Sequence, residues 1–184
     1  MQREGKGDNL DMNILVNIAH PNIKGSRVNA AWLRALERQH NVSINELYRE
    51  YPNEKIDVER EQELCLAHDR IVFQFPFFWY SSPPLLKKWQ DEVLTYGWAY
   101  GAEGNKLHGK ELMLAVSTGS EAAKYQAGGG NHFSMSELLK PFVATSNLIG
   151  TVYKPAFVYH GALGSSDEAI EASARDYVAY INQP

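Results

Sequence analysis

The stretch Arg70-Ile71-Val72-Phe73-Gln74-Phe75-Pro76-Phe77-Phe78-Trp79-Tyr80-Ser81-Ser82-Pro83-Pro84 decides how this chain folds. Arg70 to Phe75 is a near-continuous apolar run, which suits a strand buried on both faces of a parallel sheet. Four aromatics, Phe77 to Tyr80, follow directly. They read either as one more turn of a core strand or as a platform for a flat ring system. In open α/β sheets the carboxyl ends of strands are where ligands bind. Pro76 opposes the first reading, because it has no N–H to give a central ladder. Pro83-Pro84 marks a helix start, proline being tolerated at the first helical position.

Outward from this stretch, strands alternate with helical patterns. Asn13 to Ala19 is an apolar run ending at His20-Pro21, and Val42 to Leu47 suits a second strand. Between them Val28, Trp32 and Leu36 recur at helical spacing after Ser26 and Asn29. Tyr48 to Asp57 is polar and reads as loop. Val58 to His68 reads as a helix with Glu59, Arg60, Glu61 and Glu63 on a charged face. Leu85, Trp89, Val93 and Tyr96 form one apolar stripe, which Gly97 ends. Glu111 to Val116 is a fourth strand and Tyr153 to His160 a fifth. Ser134-x-x-Glu137 and Ser165-x-x-Glu168 are capping-box patterns, the second ahead of Ile170, Ala174, Tyr177 and Ile181 on one helix face. The alternation predicts an α/β domain, a parallel sheet with helices on both faces.

A length of 184 residues suits one domain with a real core. A net charge of −4 argues against a nucleic-acid binder, which would carry a basic face. The single cysteine, Cys65, excludes an internal disulfide and paired-cysteine zinc, and it reads as a small buried hydrophobe. No metal site is expected. No apolar run approaches the ~20 residues of a membrane span. Residues 1–12 are polar and lack a signal peptide's hydrophobic region. A disordered arm over 1–12, a domain over 13–184 and a cytoplasmic location are therefore expected.

Three loops leave strand carboxyl ends. The first, His20 to Asn29, leads into a helix whose free amides could hold a phosphate. Ser26 and Asn29 would add donors there, and His20, Lys24 and Arg27 charge. The loop has neither the dinucleotide fingerprint nor the P-loop lysine, and an ordinary helix start stays open. The second loop is the aromatic run. The third, Ser117-Thr118-Gly119-Ser120, lets backbone approach a planar ligand closely, or is a plain glycine turn. Tyr125 and His132, taken alone, are polar loop residues without an evident role.

Phe75-Pro76-x-x-Trp79-Tyr80-Ser81-x-Pro83-x-Leu85-Leu86-Lys87-x-Trp89, followed by Gly97-Trp98-Ala99-Tyr100-Gly101, resembles the flavodoxin-like NAD(P)H:quinone oxidoreductase family. The similarity is to its short bacterial branch, which holds general-stress NAD(P)H oxidoreductases and ancillary flavoproteins of glutathione-gated potassium-efflux systems. It runs from about Asn13 to Pro184. The resemblance implies a five-stranded sheet of order 2-1-3-4-5 and a bound FMN rather than FAD. It implies that His20, Ser26, Arg27, Val28 and Asn29 hold the phosphate, and that Phe77, Phe78, Trp79 and Tyr80 wrap the ring. Ser117, Thr118, Gly119 and Ser120 would meet the ring's other edge, with Ser120 where the family often has a second glycine.

The same resemblance gives Tyr125 and His132 the task of stabilising charge during hydride transfer. Tyr125 stands at the matching distance from Gly119. His132 matches counted back from Pro141, with one extra residue absorbed in Gly128-Gly129-Gly130, and Asn131 is its substitute. The implied reaction carries hydride from NAD(P)H through FMN to a quinone, nitroaromatic or azo acceptor. A homodimer is implied through Leu85, Leu86, Trp89, Trp98 and Tyr100. The alternative is a regulatory flavoprotein bound to a potassium-efflux membrane protein. A response-regulator receiver is excluded because Asn17, Ala19 and His20 replace its acidic cluster. A low-molecular-weight phosphatase is excluded because Cys65 lies elsewhere. The mild charge argues against a one-electron flavodoxin carrier.

Overall fold

A computed structural model describes residues 12–184. β1 (Ile14–Ile18) leads through a short 3-10 turn (Ile23–Gly25) to α1 (Val28–Leu36) and β2 (Val42–Glu46). Then come α2 (Leu47–Glu50), α3 (Val58–Ala67), β3 (Arg70–Pro76), α4 (Pro84–Val93) and β4 (Glu111–Ser117). The chain closes with α5 (Met135–Leu138), α6 (Lys140–Leu148), β5 (Val152–Tyr153), β6 (Phe157–Tyr159) and α7 (Asp167–Ile181). All strand pairings are parallel, in the order β2-β1-β3-β4-β5, with β6 also on β4. The expected flavodoxin-like order is borne out.

Side-chain alternation explains the two-sided cover. Leu15, Ile71, Phe73, Phe75, Leu112, Leu114 and Val116 share one core with residues of α3, α4 and α6. Ile14, Val16, Ile18, Val72, Met113 and Ala115 share the other with α1 and α7. Each strand therefore needs apolar residues in both parities, which is why β1, β3 and β4 read as unbroken hydrophobic runs.

Several expectations shift. β3 includes Pro76. Arg70 N–H points to Asn13 O and Phe77 N–H to Ser117 O, so alternation aims the missing Pro76 donor past the end of β1. The fifth strand divides into β5 and β6 around Lys154-Pro155-Ala156, where the register against β4 shifts by one residue, from Leu112 opposite Tyr153 to Ala115 opposite Phe157. Part of the expected loop after β2 is the short helix α2. The last helix is capped by Ser166, whose Oγ accepts Ala169 N–H, and not by Ser165. α4 ends at Val93, four residues before Gly97, leaving Tyr96 exposed beyond it. Leu85, Leu86 and Trp89 are buried within the chain, and Trp98 and Tyr100 half-buried, so they form no exposed patch. They fill the space between α4 and the sheet. Of the expected arm, residues 1–11 lie outside the described residues. Met12 belongs to the folded part: its carbonyl accepts Asn41 Nδ2–H, and its side chain packs on the α1/α7 core.

Glu61 departs most from expectation. It sits one helical turn before buried Cys65 and is itself fully buried. Its Oε1 accepts from Tyr51 Oη (2.6 Å) and Arg60 Nη1 (2.5 Å). Its Oε2 accepts from Trp89 Nε1 (2.7 Å) and Asn45 Nδ2 (2.8 Å), and Asn45 also donates to Asn17 (2.8 Å). The four donors saturate the carboxylate. They join β1, β2, α3, α4 and the turn after α2. Burial first, and then the bond to Glu61, push the Tyr51 hydroxyl up to about 12. Removing the carboxylate strands the buried Trp89 and Asn45 donors, so Glu61→Ala should lose about 3–5 kcal/mol of stability in urea denaturation. A loss below about 1 kcal/mol, typical of an exposed pair, would show that the hub is not structural.

Candidate functional site

β1 and β3 are neighbours whose following crossovers run to opposite sides, β1 to β2 and β3 to β4, which opens a crevice at the strands' carboxyl ends. A cleft of about 310 Å³ occupies this position. His20, Gly25, Ser26, Arg27, Val28 and Asn29 line it from the loop after β1, and Pro76, Phe77 and Phe78 from the end of β3. Ser117, Thr118 and Gly119 line it after β4, and Ala162 and Leu163 after β6. A second cavity, about 550 Å³, adjoins it through Gly119 and Leu163 and contains Ser120, Glu121, Lys124 and His160.

The first loop ends at the start of α1. Ser26 Oγ accepts Asn29 N–H at 3.0 Å, while the amides of Arg27, Val28 and Ala30 make no backbone hydrogen bond among the described residues. Those free amides and the positive helix end suit a phosphate. Arg27 is also tied to α7, donating to Asp167 Oδ1 (2.7 Å) and Ser165 O (2.8 Å). His20 supplies no charge: burial lowers its pKa, and its Nδ1 accepts Asn22 N–H. Its neutral ring offers a donor at Nε2.

Asn29 works beneath the cleft. Its side chain is buried, donates to Ser117 Oγ (2.9 Å) and accepts from Gln74 Nε2 (3.3 Å). Asn29, which lines the cleft, also bolts the first loop to β3 and β4 through its side chain.

Phe77 and Phe78 face the cleft, but Trp79 and Tyr80 do not line it. Phe78 and Ser81 exchange both backbone hydrogen bonds, making Trp79-Tyr80 a two-residue turn. Their φ angles are 48° and 60°. Positive φ at both central positions is the type I′ requirement, usually met by Asn-Gly. Trp79 is 93% exposed at the tip. Two bulky residues in left-handed backbone store strain of the kind that gathers at functional sites.

The third loop is fastened to the fourth. Thr118 N–H bonds to Tyr159 O, Gly161 N–H to Ser120 O and Ala162 N–H to Thr118 O, each at 2.9 Å. A Cβ on Gly119 would meet Leu163 Cδ1 at 3.2 Å, a tight contact that the exposed leucine side chain can relieve by a small shift. Ser120 faces the second cavity. Tyr125 is half-buried and packs edge-on against Phe77, ring centroids 6.1 Å apart. His132 is exposed, at φ 65°, with no side-chain hydrogen bond among the described residues. Asn131 Oδ1 accepts from Tyr80 Oη at 3.4 Å. The loop after β6 is one that sequence reasoning does not single out. His160-Gly161-Ala162-Leu163-Gly164 follows a strand end as the other three loops do, and that placement was its available signal. The whole can hold a phosphate at one end and a planar ring, with aromatic and small-residue walls, at the other.

The flavodoxin-like fold family model matches residues 12–181. General stress protein 14 of Bacillus subtilis is 63% identical over 173 residues, 94% of this chain and 99% of that protein. The uncharacterized NAD(P)H oxidoreductase YrkL of the same organism is 52% identical over 92% of this chain and 98% of its own. The potassium-efflux ancillary protein KefF of Salmonella schwarzengrund is 42% identical over 89% of this chain and 92% of its own. General stress protein 14 of Treponema denticola, solved in complex with FMN, has TM-score 0.89 and 44% identity, covering 93% of this chain and 99% of that one. An NADPH-quinone reductase from P. pentosaceus has TM-score 0.84 and 37% identity, covering 92% and 97%. A chain described as a thermophilic tryptophan halogenase, from Streptomycin violaceusniger, has TM-score 0.90 and 51% identity, covering 93% and 99%.

If the Trp79-Tyr80 turn is strained, replacing the pair with Asn-Gly should raise unfolding stability by about 1–2 kcal/mol. Calorimetry of the double variant checks this. A loss of stability would mean that the aromatic contacts outweigh the backbone strain.

Proposed function

We propose, from the premise that this chain belongs to the flavodoxin-like fold family, that it is an FMN-dependent NAD(P)H oxidoreductase delivering two electrons to a quinone-like acceptor. The observation that carries this is the single cleft uniting phosphate-type amides at α1 with the Phe77–Phe78 wall and the Thr118–Gly119 edge. A solved relative 44% identical holds FMN, and relatives of 52% and 54% identity are named NAD(P)H oxidoreductases. FMN, when bound, supplies hydride transfer between nicotinamide and acceptor.

This chain's residues supply position and electrostatics. The amides of Arg27, Val28 and Ala30 with Ser26 Oγ would hold the phosphate. Phe77, Phe78, Thr118 and Gly119 would confine the ring and exclude water from its covered face. The Tyr125 hydroxyl would donate a hydrogen bond where negative charge develops. His132 or Asn131 would supply a second donor, the first through an imidazole, the second from its place beside Tyr80. Nitroaromatic and azo acceptors are part of the same proposal, as an apolar wall discriminates weakly among flat molecules. A homodimer also belongs to it, with a cytoplasmic location. Sedimentation should give about twice the 20.8 kDa chain mass, and a fully active monomer would remove the dimer.

The likeness to KefF favours one second role, docking on a potassium-efflux membrane protein. Co-purification with such a transporter tests it and leaves the redox activity intact. The halogenase description of one neighbour is tested by supplying tryptophan and chloride with the reduced protein, where no chlorinated product is expected.

The purified protein should be yellow and release a cofactor with the mass of FMN. NADH or NADPH should bleach it, and a quinone should restore the colour. A colourless protein that takes up neither FMN nor FAD would sink the proposal. Tyr125→Phe should slow flavin reduction roughly 10–100-fold with FMN still bound. His132→Ala and Asn131→Ala, measured side by side in stopped flow, assign the second donor to whichever variant is slowed.

A further inference from the structure

We propose that His160 is a positioning residue of this site, holding Tyr125 and the Thr118–Ser120 turn in place from behind the cleft wall. The proposal rests on the oxidoreductase function above. His160 lines the adjoining cavity, not the cleft, so it acts through its neighbours.

Hydrogen-bond bookkeeping fixes its proton. Thr118 Oγ1 donates its only hydrogen to Ser120 O at 2.7 Å. The 3.0 Å contact between Thr118 Oγ1 and His160 Nδ1 therefore requires a hydrogen on Nδ1. Ser120 O also accepts the N–H of Gly161, the residue after His160, so turn and imidazole are bound at both ends. The imidazole lies against the Tyr125 ring, centroids 5.3 Å apart and planes 33° from parallel, and Tyr125 in turn packs on Phe77. One side chain thus supports the small-residue edge of the cleft and the phenol expected to stabilise charge. Burial lowers the His160 pKa, which keeps the ring neutral with its Nε2 lone pair unprotonated. The charged groups sharing its cavity are Glu121 and Lys124, of opposite sign.

Two measurements test this. Nitrogen-15 NMR of the FMN-free wild-type protein, with His160 assigned by comparison with His160→Asn, should report the neutral Nδ1–H tautomer at pH 7. An Nε2–H tautomer or an imidazolium overturns the proposal without reference to activity. In stopped flow, His160→Ala should keep FMN and lower the limiting rate of reduction about 10-fold, as a small misplacement of a catalytic group does. In a Tyr125→Phe background the same change should add less than 2-fold, because no hydroxyl remains to be placed. Independent, multiplying effects of the two substitutions overturn the proposal, since a generally loosened fold would act in either background. Wild-type protein that NAD(P)H cannot bleach fails the oxidoreductase function itself, an outcome distinct from normal bleaching with multiplying effects.

Discussion

The side chain of Asn29 holds the cleft together. Its Nδ2 reaches Ser117 at the end of β4, and its Oδ1 meets Gln74 of β3, while its own backbone opens α1. The second and third loops are also joined by Phe77 N–H to Ser117 O, and Asn29 adds the buried side-chain tie from the first loop to both of their strands. A buried amide with both ends satisfied is unforgiving: a shift of any partner leaves a polar group without a bond in a dry interior. That residue ties the phosphate-type amides to the strands that carry the aromatic wall and the glycine edge.

Around this fixed centre the molecule separates rigid support from strained display. On the opposite face of the sheet, Glu61 ties Asn45 of β2, Trp89 of α4 and Tyr51 together, anchoring the helix that follows the aromatic turn. On the ligand side, Trp79 and Tyr80 stand in left-handed backbone at the rim. Strain persists only where surroundings over-determine the conformation. The paired Phe78–Ser81 bridge and the anchored α4 provide that restraint. Exposed aromatics at the rim and buried polar bonds below are thus two sides of one design.

Much of the fold was legible because parallel strands buried on both faces leave unbroken apolar runs. Arg70 to Phe75 and Glu111 to Val116 could hardly be anything else. Less legible were features set by single residues in three dimensions. A one-residue register shift at Lys154-Pro155-Ala156 splits the last strand, and composition gives no warning of it. Glu61 looks like any surface glutamate until its four-residue spacing from Cys65 is placed on the inner face of α3. Leu85, Leu86 and Trp89 were assigned to an outer surface, yet α4 turns them inward, since a helix stripe cannot declare which neighbour it meets. At the cleft, residue types pointed to loops that line it but not to the orientation of each side chain. Asn29 faces down, Trp79 faces out, and Ser120 serves the adjoining cavity. Beside His160 the loop after β6 carries only small residues and a leucine, and only topology marks it.

On this account the carboxyl-end cleft receives FMN through the four loops that Asn29 and the β4–β6 bonds hold together. Amide spectra of nitrogen-15-labelled, FMN-free protein, recorded as FMN is added, test it most directly. Shifts should concentrate at residues 26–30, 77–80, 117–121 and 161–163. Unchanged spectra, or shifts centred on the opposite end of the sheet around Asn13, Arg70 and Glu111, would contradict it.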